Sequence, residues 1–171
     1  MTTVPGITFR PITPADLPML REWLQRPHVA EWWGAPESLD ELGAEFDPRP
    51  DNPVRGYIAY EGEAPIGFAQ SYVAVLCHAD GWWLDEHDPG VVGIDQFLAD
   101  GQRLGQGLGT RMVRAFVDRL FESPGVTRVQ TDPDPTNARA IRCYEKAGFR
   151  PVREMVTSDG PALLMYLDRP A

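Results

Sequence analysis

"QRLGQGLGTRMVRAFVDRL", residues 102–120, sets Gly105, Gly107 and Gly109 at alternate positions directly ahead of a stretch with helical apolar spacing. Glycine adopts left-handed backbone and leaves its amide without side-chain cover. Such a turn lets backbone N–H groups converge at a helix N-terminus, a place suited to phosphate. Neither nucleotide-binding pattern fits: no Lys-Ser/Thr pair follows the glycines as in a P-loop, and the Gly-x-Gly-x-x-Gly spacing is absent. On this stretch alone, a tight strand-to-helix turn with no ligand is an equal alternative.

The helix expected over 107–122 buries Leu108, Met112, Ala115, Phe116 and Leu120 along one stripe. Before it, "GVVGIDQFLA" (90–99) is apolar on both faces, as a central strand would be. After it come a β-branched strand, "VTRVQTD" (126–132), and a helix, "TNARAIRCYEKAG" (136–148), closed by Gly148. "FRPVREMV" and "PALLMYLD" then form an antiparallel pair across "TSDG".

At the other end, "GITFRPI" alternates as a strand. Thr13, Pro14 and Asp16 supply N-cap, first helical residue and capping-box acid to a helix marked by Leu17, Leu20 and Leu24. Residues 27–53 read as loop around a short helix, "SLDELGAEF", capped by Ser38. "VRGYIAYEGEAPIGFAQSYVAV" reads as two strands around a turn at Gly62. This order predicts an α/β fold: a mixed, mostly antiparallel sheet with helices on both faces, in one domain over 1–171.

With 171 residues and a formal charge of −9, the chain suits a cationic partner and not a nucleic acid, whose phosphates call for Lys and Arg; acidity that serves only solubility is the alternative. Lys146 is its only lysine. Two cysteines, Cys77 and Cys143, and three histidines, His28, His78 and His87, lack metal-ligand spacing, so no metal is expected. No apolar run of about 20 residues or secretory signal stands out; free thiols, a cytoplasmic location and no membrane partner are expected.

A second stretch decides between the readings of the glycine turn. Asn137, Ala140, Tyr144, Gly148 and Phe149 in "TNARAIRCYEKAGF" resemble the second acyl-CoA motif of the GNAT N-acetyltransferases, and they follow the glycine turn in that family's order. The likeness extends through "EWLQRPHVAEWWG", "PIGFAQSYVA", "DGWW", "DPGVVGIDQFLA" and "SDGPA" to the aminoglycoside 6'-N-acetyltransferases. It implies the GNAT acyltransferase fold, acetyl-CoA as cosubstrate, acetyl transfer to the 6'-amine of aminoglycosides and antibiotic resistance, in a monomer or homodimer.

Siderophore-assembly acyltransferases share the Trp-Trp pair, so another amine acceptor, hydroxylysine or a polyamine, stays open, as does a non-catalytic acyl-CoA-binding module. By resemblance, coenzyme A is held by Gln96, Phe97 and Leu98 on the strand, by Gln102, Arg103, Leu104, Gly105, Gln106, Gly107, Leu108, Gly109 and Thr110 on the turn, and by Asn137, Ala140 and Tyr144. Leu104 stands where the family often has Gln or Arg.

Amine acetylation needs an oriented amine, a donor for the carbonyl oxygen and a proton for the departing thiolate. Asp95, a carboxylate in an apolar strand, awaits a cation, either a substrate amine or a structural arginine. By resemblance it holds or deprotonates the reacting amine. An unperturbed carboxyl near ~3.9 lies about five units below an amine near ~9, roughly 7 kcal/mol uphill for direct transfer, which favours positioning or transfer through water. Tyr144 is the candidate acid, and a backbone amide within Gly93 to Gln96 the carbonyl's donor. Asp80, Asp95 and Asp132 supply the field for a polycationic sugar, with Trp32, Trp33, Trp82 and Trp83 as cleft walls.

Overall fold

Among the described residues, seven strands form one sheet in the order β1-β2-β3-β4-β5-β7-β6. The strands are β1 (Ile7–Pro11), β2 (Val54–Glu61), β3 (Ala64–Val73), β4 (Val91–Leu98), β5 (Arg128–Thr131), β6 (Arg150–Thr157) and β7 (Gly160–Asp168). Five α-helices accompany them among the described residues: α1 (Leu17–Leu24), α2 (Pro27–Trp33), α3 (Leu39–Glu45), α4 (Leu108–Phe121) and α5 (Ala138–Lys146). The computed structural model describes residues 6–35 and 37–171. All neighbouring strands are antiparallel except β4 and β5, so the mixed, mostly antiparallel sheet expected above is the one found.

Strand alternation assigns the two faces. Ile58, Phe68 and Phe97 pack with Leu20, Trp23, Leu24, Val29 and Leu42 under α1, α2 and α3. Ala69, Val92, Ile94 and Met165 pack with Val113, Phe116, Val117 and Tyr144 under α4 and α5. Residues two apart share a face, so Gln70 lies beside Phe68 and Asp95 beside Phe97 on the α1–α3 side. One polar pair is thereby set into an apolar layer.

Asp16 closes the start of α1 as the capping box requires. Its Oδ2 accepts from the Thr13 N–H at 2.8 Å and hydroxyl at 2.9 Å, and its Oδ1 accepts from Arg10 at 2.8 Å. One short turn of 3-10 helix, Pro14–Asp16, precedes the α-helix proper. In α3, Ser38 and Glu41 form a second capping box.

Two expectations change. Residues 27–33, read as loop, form α2, because Pro27 occupies the first helical position, where its missing N–H costs nothing. In α4 the buried set is Leu108, Met112, Val113, Phe116 and Val117, while Ala115 and Leu120 are half-buried. The stripe is rotated because α4 meets β-sheet side chains on one flank and α5 on the other.

One topological feature positions the site. The parallel pair β4 and β5 is joined only through Val91, Val92 and Gly93 against Arg128, Val129 and Gln130. Beyond Gly93 the strands part, and both cavities described next open at this divergence.

Candidate active site

The first cavity, about 400 Å³, runs from the β4 end over the glycine turn to α5. Of the residues that the resemblance assigns to coenzyme A, Gln96, Phe97, Leu98, Leu104, Gly105, Gly107, Gly109, Thr110, Asn137, Ala140 and Tyr144 line it. Gly105 (φ +74°) and Gly107 (φ +83°) are both left-handed, and a Cβ at either would meet no atom within 4 Å. Glycine is therefore required there by backbone conformation, and the space in front of the turn is open. Gly107 is the N-cap of α4 and offers no side chain to its first-turn amides, which stay available to an anion.

Four turn residues do not line this cavity. Leu108 is buried in the core, and Arg103 joins Arg111 in a double ion pair with Glu61 at 3.0 and 3.1 Å. Gln106 donates back to the Gln102 carbonyl at 2.9 Å, so both are engaged in closing the turn.

The sequence reading missed His28, Arg139, Arg142, Cys143 and Lys146, which also line the cavity. Arg139, Arg142 and Lys146 recur at helical spacing on α5, and in a chain of charge −9 that cluster was the available signal. His28 comes from α2, the helix that the loop reading had hidden; its Nε2 lies 2.8 Å from the Leu98 carbonyl oxygen.

The second cavity, about 530 Å³, shares Trp32, Trp33, Gln96, Asn137, Ala140 and Tyr144 with the first. Into it face Asp95, Asp132, Asp134, Asp159 and Glu31. Gln70 sits opposite Asp95 in the β3–β4 register and donates from Nε2 to Asp95 Oδ2 at 2.9 Å. Asp95 is thus held by an amide and, among the described residues, by no arginine. The remaining oxygens of Gln70 and Gln96 are buried without a hydrogen-bond partner among the described residues.

Burial dominates the electrostatics. It raises the Asp95 carboxyl, against the Gln70 hydrogen bond and with the added charge of Asp159. Asp132 is pushed up to about 8, by burial first and then by Asp95 and Asp159. Tyr144, only 5% exposed, is raised by burial, then by the charge of Asp95, with a Thr131 hydrogen bond working the other way. Among the described residues that line this cavity, no lysine or arginine offsets the carboxylates.

The first Trp pair divides. Trp33 packs edge-on to Phe68 and Phe97, while Trp32 is exposed on the cavity wall. Asp80, Trp82 and Trp83 do not line the two cavities; they lie on the β3–β4 connection. Both tryptophans there are half-buried, and Trp83 stacks on Tyr72 at 6.1 Å between centroids. Tyr72 in turn fills the space over Gly93, where a Cβ would fall 1.9 Å from its ring, and its hydroxyl accepts from Gln130 at 3.4 Å. Asp159, Glu31, Glu37 and Glu45 are cavity carboxylates that the sequence reading did not select.

Residues 13–157 match the model of the "Acetyltransferase (GNAT) domain" family. The chain belongs to the GNAT acetyltransferases. Within them it belongs with the aminoglycoside N(6')-acetyltransferases: it is 52% identical to the type 1 enzyme of Klebsiella pneumoniae, over 97% of this chain and 85% of that one. A crystal structure of aminoglycoside acetyltransferase AAC(6')-Ib with coenzyme A and kanamycin superposes with a TM-score of 0.86 at 49% identity, covering 96% and 95% of the two chains. A lysine N-acyltransferase of Mycolicibacterium paratuberculosis is 28% identical over 97% of the acetyltransferase described here and 75% of its own length. No helix among the described residues is long and apolar enough to cross a membrane.

Proposed function

We propose that this acetyltransferase moves the acetyl group of acetyl-CoA to the 6'-amine of an aminoglycoside, thereby conferring resistance, and that it does so in the cytoplasm, where acetyl-CoA is made. The observation that carries the reading is the meeting of two chemically opposite cavities at Tyr144 and Gln96, one walled by cations and bare amides, the other by carboxylates. The first fits a narrow ligand with phosphates at one end: left-handed glycines, uncapped α4 amides, and Arg139, Arg142 and Lys146. The second fits a sugar bearing several ammonium groups.

Acetyl-CoA supplies an activated thioester; the chain supplies orientation and proton handling. Asp95 positions the amine and takes its proton, and burial narrows the gap between its carboxyl and an ammonium. Gln70 fixes the carboxylate's direction through the 2.9 Å bond to Oδ2. The Ile94 carbonyl accepts from Thr131 at 3.2 Å on the β5 side, and the backbone of Gln96, two residues on, faces that same side where β5 has diverged. Its N–H is our assignment for the carbonyl's donor.

Tyr144 donates its phenolic proton toward the departing sulfur. The charge of Asp95 holds that proton in place. When Asp95 gains the amine's proton that charge disappears, so proton uptake at one residue favours release at the other. Asp132 and Asp159 hold further ammonium groups, and Trp32 and Trp33 present ring faces to the sugar. Asp80, Trp82 and Trp83 stay outside both cavities, and Trp83 bears on the site only through Tyr72, on which it stacks.

The test is thiol release from acetyl-CoA with kanamycin, tobramycin, amikacin and gentamicin components that have or lack a free 6'-amine. Turnover confined to compounds with that amine supports the reading. Equal turnover without it refutes the regiochemistry, and a preference for hydroxylysine or spermidine would redirect the substrate assignment.

A further inference from the structure

The glycine turn has to keep its shape with little of its own to hold it. Glycine loses more backbone freedom on ordering than any other residue, and Gly107 caps α4 without a side-chain hydrogen bond. Backbone bonds secure the entry, from the Arg103 N–H to the Asp100 carbonyl at 3.1 Å and from the Leu104 N–H to Gly101 at 3.4 Å. They secure the exit too, from the Arg111 N–H to the Gly107 carbonyl at 3.1 Å. Between entry and exit lie the left-handed Gly105 and Gly107, with open space in front of them.

The side chains of two of these flanking residues converge on one carboxylate. Arg103 Nη2 donates to Glu61 Oε1 at 3.0 Å and Arg111 Nη1 to Glu61 Oε2 at 3.1 Å, so each oxygen takes one end of the turn. Glu61 is the last residue of β2, in register with Ile7 on β1 and with Ala64 across the β2–β3 hairpin. Its place is therefore set by the sheet and not by the turn. The carboxylate is the most enclosed of the three groups, its side chain 18% exposed against 38% and 40% for the arginines.

Two other roles fit this cluster less well. Arginines near a phosphate site could grip the phosphates themselves, but neither Arg103 nor Arg111 lines the first cavity. Arg103 instead lines a separate cavity, with Met19, Trp23 and Leu108. Stabilising the whole fold is the second role, and ion pairs this exposed contribute little to it.

We propose that Glu61 is a positioning residue for acetyl-CoA, stapling the entry and exit of the glycine turn so that the turn's amides are aligned before the pyrophosphate arrives. Alignment in advance removes an ordering cost from binding. The proposal rests on the reading of this turn as the pyrophosphate site. The staple touches neither the amine nor the thioester, so it bears on acetyl-CoA affinity and not on the transfer step.

The experiment compares wild type, Glu61→Gln, Arg103→Gln and the double variant with two donors, acetyl-CoA and S-acetylpantetheine, which keeps the thioester arm and lacks the pyrophosphate. The staple predicts that Glu61→Gln raises the acetyl-CoA KM about three- to tenfold, while kcat and the kanamycin KM change about twofold at most. Hydrogen exchange over residues 104–110, followed by mass spectrometry, should quicken in the same variant. Adding Arg103→Gln to Glu61→Gln should cost little more, because that link is already cut. An acetyl-CoA KM that is unchanged or lower in Glu61→Gln, or that rises together with the kanamycin KM, overturns the proposal. If wild type prefers acetyl-CoA to acetylpantetheine and Glu61→Gln keeps that preference in full, the turn remains the pyrophosphate site without the staple. Equal KM values for the two donors in wild type remove both.

Discussion

Gln70 and Asp95 face one another across the β3–β4 register, and the Gln70 amide donates to Asp95 Oδ2 at 2.9 Å. A carboxylate set into an apolar face thus has its direction fixed by a neutral group, which leaves its charge uncompensated toward the cavity. Gln70→Leu should keep Asp95 in place but lose that direction. We expect kcat with kanamycin to fall about tenfold or more while acetyl-CoA binding, followed by calorimetry, is unchanged.

Asp132 offers a test by stability. Its carboxyl is raised to about 8 by burial and by the charges of Asp95 and Asp159, whereas in the unfolded chain it titrates near ~3.9. The folded protein therefore prefers the neutral acid, and stability from this group is complete below the unfolded value and is lost as pH rises through the folded one. Asp132→Asn should raise Tm by several degrees at pH 8.5 and have little effect at pH 4. Thermal unfolding at the two pH values decides it.

The α5 cations should affect one substrate only. Arg139→Ala with Arg142→Ala should raise the KM for acetyl-CoA about tenfold, more at low salt than at high, while the KM for kanamycin changes little. Equal effects on both substrates would place these arginines outside the acyl-donor cavity.

Two glycines separate backbone conformation from packing. Gly107→Ala meets open space but must hold φ near +83°, a cost of about 1 kcal/mol. Gly93→Ala has ordinary backbone but collides with the Tyr72 ring at 1.9 Å. The second should be the more destabilising by denaturant titration, and it should also move Trp83, stacked on Tyr72, which tryptophan fluorescence would register.

Much of this was legible in residue order. Alternation, caps and the glycine turn located the strands and four of five helices, because each signal there is local. α2 was hidden because Pro27 reads as a loop residue unless its first-turn position is recognised. Asp95 and the turn stood out through type and spacing, and Tyr144 through its place in a stretch that resembles the second acyl-CoA motif of the GNAT acetyltransferases. Asp159, Glu45 and His28 did not, since each sits in an ordinary polar segment and reaches a cavity only through tertiary packing. Conversely, Arg103 looked free for phosphate and is tied to Glu61, forty-two residues away in sequence.

The most direct measurement locates the acetyl group. Incubating the protein and its Asp95→Asn variant with acetyl-CoA and kanamycin, then assigning the product by NMR, should give a single acetamide at the 6' position. The variant should still bind acetyl-CoA but lose about 10²–10⁴-fold in kcat/KM. Acetylation at another amine, or full activity in Asp95→Asn, would contradict the account.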